Sequence, residues 1–73
     1  MTKKEFLKSR GYIEEGTLFG KIFVNNVYAI IDLTTSSFEV YNYKVIREQK
    51  DIDYLQIVFN NVKRDFEEVI KYE

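Results

Sequence analysis

The chain has 73 residues, 45 % of them hydrophobic and 16 % aromatic, with eleven basic and twelve acidic side chains and a net charge of -1. A chain this short buries one core and cannot be divided into two, so residues 1–73 read as a single small domain. It has neither cysteine nor histidine, so disulfides and the usual zinc, copper and iron ligand sets are excluded.

The near-neutral balance argues against a polyanion-binding footprint and against an acidic nucleic-acid mimic. Residues 1–50 carry eight basic and six acidic side chains and residues 51–73 three and six, which makes the carboxyl-terminal segment the acidic end. No stretch approaches the roughly 20 apolar residues of a membrane span, and Met1 to Arg10 lacks the apolar run of a signal peptide. A soluble cytoplasmic protein without membrane attachment is the expectation.

Thr2-Lys3-Lys4-Glu5 fits a capping box, in which the threonine hydroxyl accepts from an early backbone N–H and the glutamate reaches back to the cap. A short helix over residues 3–10 follows, with Phe6 and Leu7 as anchors. Arg10 reaches solvent, Gly11 stands where a left-handed stop is wanted, and Tyr12 and Ile13 can fold back on the helix. The period then changes to two. Thr17–Val24, Val27–Leu33 and Phe38 to about Ile46 are rich in β-branched and aromatic residues and read as three antiparallel strands. Asn25-Asn26 is a two-residue hairpin connection, since asparagine tolerates positive φ, and Thr34–Ser37 makes a looser turn.

In the last segment Ile52, Leu55, Phe59, Val62, Phe66 and Val69 alternate by three and four and fall on one helical stripe, with Asp51 or Asp53 as the cap. A long helix is the better reading. Its competitor is a fourth strand over Tyr54–Phe59 before a shorter helix, because Ile57-Val58-Phe59-Asn60-Asn61 is a poor helix-forming run. A helix over residues 52–72 would overhang the sheet around Ile70 and Tyr72, with Glu67, Glu68 and Glu73 beside them. The fold class is therefore α+β: a short N-terminal helix, a three-stranded meander and a long C-terminal helix, with both helices on one sheet face. Double-stranded RNA-binding domains share that order of elements. Asp51, Ile52 and Asp53 stand where those domains place a lysine cluster, so no kinship follows.

Alternation divides each strand between two faces. With the two-residue turn, Leu18, Ile22, Val24, Ala29, Ile31, Leu33, Phe38 and Val40 form the set given to the helices. The opposite set is Phe19, Lys21, Phe23, Tyr28, Ile30, Asp32, Glu39, Tyr41 and Tyr43. A one-sided sheet normally gives that second face to polar residues, yet here it holds five aromatics. Even half exposure of five would leave a patch of roughly 400 to 600 Å², at the limit of an ordinary monomer.

Three coverings compete for this patch: the first helix and the Gly11–Gly16 loop, a protein partner or second copy, or single-stranded nucleic acid stacked on the rings with Lys21 and Lys44 near its backbone. A protein partner or homodimer is preferred to nucleic acid because of the charge. The candidate partner-binding residues are Phe19, Phe23, Tyr28, Tyr41 and Tyr43, with Lys21 and Glu39 setting polar registration. The functional expectation is a non-enzymatic interaction module, such as a small regulator or inhibitor of a larger protein of the kind phages and mobile elements make.

No catalytic constellation accompanies it. Ser9, Ser36 and Ser37 have no histidine to activate them, and Glu14-Glu15 and Glu67-Glu68 are adjacent pairs whose members point apart. Asp51 and Asp53 suit helix capping better than Mg²⁺. Gly16 and Gly20 flank "TLF" without the lysine of a phosphate-cradling loop; Gly20 reads as a bend or a point of close backbone approach. No catalytic residue, cofactor or metal is expected.

Overall fold

The computed structural model describes residues 1–72 and is α+β, with the order α1 (Lys3–Ser9), β1 (Ile13–Glu15), β2 (Leu18–Ile22), β3 (Val27–Asp32), β4 (Ser37–Asn42) and α2 (Gln49–Val69). The four strands form one antiparallel meander in sequential order. The expected meander of three gains a strand at its amino-terminal edge.

The added strand, Ile-Glu-Glu, is three residues long and two of them are glutamates, which strands disfavour, and this hid it in the sequence. Tertiary contacts hold it. Glu14 lies on the helix side, opposite Phe19, and pairs with Lys4 and Lys8 of α1 at 3.0 and 3.3 Å. Gly16, at φ +61°, and Thr17 close the turn into β2.

The first helix forms as its sequence requires. Thr2 Oγ1 accepts from Glu5 N–H at 3.1 Å, Glu5 Oε1 accepts from Thr2 N–H at 2.9 Å, and Gly11 ends the helix at φ +92°. Phe6, Leu7 and Tyr12 are buried, but Ile13 does not fold back with Tyr12: it lies opposite Gly20 with 64 % of its surface exposed. Tyr12 N–H donates to the Leu7 carbonyl, and strand alternation then sends the next side chain to the other face.

Residues 54–59 are helical, within an α2 of 21 residues and about 31 Å. The core-facing stripe is turned toward a residue outside the expected set: Val58, Val62 and Val69 are buried, while Ile52 and Phe59 keep nearly half their surface in water. Packing on two sides accounts for the turn. Phe38 of β4 meets Phe59 and Phe66 at ring separations of 5.4 and 5.2 Å, and α1 presses from the opposite flank. The expected overhang is absent at Tyr72, whose ring lies 5.0 Å from that of Phe6. Ile70, Glu67 and Glu68 are exposed, and Glu73 lies outside the described residues.

Asp51 is the third residue of α2 rather than its cap, accepting from the Arg47 and Glu48 N–H groups and from Lys44 Nζ at 3.0 Å. Asp53 accepts from Gln49 on the helix surface. The last strand stops at Asn42, and residues 43–48 cross over to the helix without regular structure.

The largest correction concerns register. Phe23 N–H donates to the Val27 carbonyl at 2.8 Å, and Ile22 faces Tyr28, so the hairpin loop is Val24-Asn25-Asn26. Both asparagines take positive φ, as expected, but the loop has three residues and not two. That single residue moves every side chain of β2 to the other face. Phe19 and Phe23 point inward, and Ile22 and Val24 point out. Burial explains the choice: the expected register would place Gly20 inside and leave two phenylalanine rings in water. Ile22 and Val24 are exposed in exchange, and the larger apolar area of the two rings favours the observed register.

Candidate functional site

Both helices pack on the face carrying Phe19, Ala29, Ile31, Phe38 and Val40. Among the described residues, no helix or strand packs over the other face. Across it, Ile22, Tyr28 and Tyr41 form one row, Ile13, Gly20, Ile30 and Glu39 a second, and Glu15, Leu18, Asp32 and Ser37 a third. Tyr43 extends it beyond β4, where its N–H donates to the Asn26 carbonyl.

Exposure here is high for apolar side chains: 76 % for Ile22, 73 % for Tyr43 and 37 % for Tyr41. Taking about 150 to 250 Å² for a fully exposed large side chain, the uncovered area reaches several hundred Å², the scale of the largest patch on a monomer. The surface has relief. The Tyr41 and Tyr43 rings stack at 6.4 Å with an interplanar angle of 16°, and Ile22, Asn26, Val27, Tyr28 and Tyr43 line a depression of about 180 Å³. A second, of about 170 Å³, lies among Leu18, Ile30, Asp32, Ser37, Phe38, Glu39 and Tyr41.

Gly20 is what lets Tyr28 lie flat. A Cβ at position 20 would stand 3.1 Å from Tyr28 Cζ and 3.3 Å from Cε2, so the missing side chain is the seat of the ring. The sequence offered a bend or a close backbone at this glycine; a cross-strand aromatic occupies the space instead.

Every charged strand residue on this face is a carboxylate: Glu15, Asp32 and Glu39. Asp32 is partly engaged, accepting from Thr34 N–H at 2.9 Å. The face is apolar in the middle and negative at its rim.

Of the seven expected contact residues, Tyr28, Glu39, Tyr41 and Tyr43 come together here and Phe19, Lys21 and Phe23 do not. Phe19 is 1 % exposed in the core, and Phe23 packs partly against it. Lys21 crosses the helix side, donates to the Arg10 carbonyl at 2.7 Å, and rests between the Tyr12 and Phe23 rings at 5.3 and 5.1 Å. Ile13 and Ile22 were missed; a three-residue loop would have brought Ile22 out, and a fourth strand Ile13.

A more spacious concavity, about 340 Å³, is elsewhere, at the start of α2 among Lys44, Val45, Arg47, Glu48, Lys50 and Asp51. Its electropositive helix terminus is already served by Asp51, whose carboxyl is held below the usual range by hydrogen bonds from Lys44 and the Arg47 backbone. On the helix side, Tyr12 Oη donates to Asp65 at 2.9 Å, and burial, with the Asp65 charge behind it, pushes the phenol well above its ordinary value. Among the described residues, no helix is long and apolar enough to cross a membrane, and no group of three or more acidic side chains is placed to hold a metal ion. Comparison with family models, with curated proteins and with solved structures finds no match to this chain.

Proposed function

We propose that this chain is a non-enzymatic interaction module that docks on a larger protein through its open sheet face. The observation that carries the reading is the exposure of Ile22 and Tyr43 beside Tyr28 and Tyr41 on a face that neither helix approaches. Tyrosine supplies large, rigid contact area with a polar tip, the type of side chain that dominates interface cores.

The rim charge supports a protein over a nucleic acid. Glu15, Asp32 and Glu39 would repel phosphates and would complement lysines and arginines set around an apolar centre. Regulation or inhibition of an enzyme by surface occlusion is a role that an interaction face of this kind can perform alone.

The test is a photo-crosslinking side chain in place of Tyr43, introduced in the cell that makes the protein. One discrete adduct is expected, lost in an Ile22→Ser, Tyr41→Ser double variant and absent when the probe replaces Glu67 on α2. An adduct that survives the double variant, or one at twice the chain's own mass, would exclude docking of a different protein on this face.

A further inference from the structure

A cleft of about 200 Å³ opens on the helix side, and Arg10, Lys21, Phe23, Asn61, Arg64 and Asp65 form its walls. Three cations against one carboxylate leave two positive charges in excess, in a chain whose net charge is -1. The carboxylate is already engaged: Asp65 accepts from Tyr12 Oη at 2.9 Å and stands 3.9 Å from Arg10 Nε. Among the described residues, neither Lys21 nor Arg64 is in an ion pair.

Lys21 is also fixed. Its ammonium is tied to the Arg10 carbonyl and lies near two aromatic rings, which leaves two of its three N–H donors for another acceptor. Ordering a free lysine is a large part of the cost of binding an anion with it, and here folding has already met that cost. Arg64 adds a planar fork of donors suited to tetrahedral oxyanions, and the Phe23 ring gives one wall without competing polar groups.

We propose that this cleft binds a small phosphate-type oxyanion between Lys21 and Arg64, independently of the open sheet face. The doubled positive excess favours a dianion over a single carboxylate, and the Phe23 wall has room for the organic part of a phosphate monoester.

Nuclear magnetic resonance titration of the whole chain with inorganic phosphate and with phenyl phosphate, at constant ionic strength, tests this. Saturable shifts are expected at Arg10, Lys21, Phe23 and Arg64. Arg64→Gln should weaken them about tenfold, the equivalent of one charge-assisted hydrogen bond, while Lys44→Gln leaves them unchanged. Tighter binding of phenyl phosphate identifies a monoester as the ligand; equal binding identifies the free anion. Shifts spread evenly over Lys44, Lys50 and Lys63, or a titration indifferent to Arg64→Gln, would overturn the proposal. Because Arg64 is exposed and lies outside the core, the variant keeps its fold and the negative result counts.

Discussion

The two faces of the sheet are built from similar side chains and do opposite things. On the inner face Phe19, Val27, Ala29 and Ile31 are at most 2 % exposed, whereas on the outer face Ile22 and Tyr43 keep about three quarters of their surface in water. Hydrophobicity does not separate them. What separates them is which face the helices cover, and for β2 that is decided by a single residue in the hairpin loop.

The comparison makes its sharpest claim about stability. Phe19→Ala should cost about 3 to 5 kcal/mol in urea denaturation, because it opens a cavity in a packed core. Ile22→Ser and Tyr43→Ser should each cost no more than about 1 kcal/mol, since both side chains are mostly in water and Tyr43 has only its stacking on Tyr41 to lose. An Ile22→Ser variant as unstable as Phe19→Ala would mean that the register is the other one and that the open face is the inner one.

Next in size is the polar contact at the edge of the core. Tyr12→Phe removes the hydrogen bond to Asp65 and should lower stability by about 1.5 to 3 kcal/mol, the range for bonds to a charged partner. Its pH signature follows from the raised phenol. The unfolded tyrosine ionises near pH 10 while the folded one does not, so Tyr12 stabilises fully below about pH 10 and its contribution declines as pH rises above it. Wild type and Tyr12→Phe should converge in alkaline melting curves.

Acid acts on ion pairs and caps rather than on the apolar packing of either face. The Glu5, Glu14 and Asp51 carboxyls are held below the ordinary range by the Thr2 backbone, by Lys4 with Lys8, and by Lys44 with the start of α2, respectively. Depressed folded values give stability that is present above about pH 4 and lost as pH falls through them. The gap in melting temperature between wild type and Asp51→Asn should therefore be widest near neutrality and narrow in acid; a gap independent of pH would show that the lost contacts are not ionic.

Much of the fold was legible because local chemistry and tertiary need agree. Thr2, Glu5 and Gly11 mark one helix wherever it packs, and the three segments with the highest β content each hold a strand, although the last ends at Asn42 rather than near Ile46. β1 was hidden because Glu14 is held by lysines from α1, a contact without local trace. The interaction face was half legible: β3 and β4 present Tyr28, Glu39, Tyr41 and Tyr43 as alternation predicts, but β2 is tied to them only through a turn. Asn25-Asn26 reports that the loop has positive φ without reporting its length. The difference between a Gly20 buried beside Ile22 and a Gly20 seating Tyr28 lies in the burial of Phe19 and Phe23, a comparison of whole registers that no local motif encodes.

Gly20 therefore gives a small effect and the finest test. An added methyl meets the outer end of the Tyr28 ring, a flexible side chain on a solvent face, so the ring can swing aside at little expense. Gly20→Ala should change stability by less than about 1 kcal/mol, the loss of ring packing being offset by reduced freedom of the unfolded chain. The Tyr28 ring resonances should nonetheless shift, and the depression between Tyr28 and Tyr43 should change shape. If Tyr43 crosslinking then falls while the melting temperature holds, the outer face is shaped for a partner rather than for folding. If crosslinking is untouched, binding rests on the apolar edges of Ile22 and Tyr43, and the seat at Gly20 serves the sheet alone.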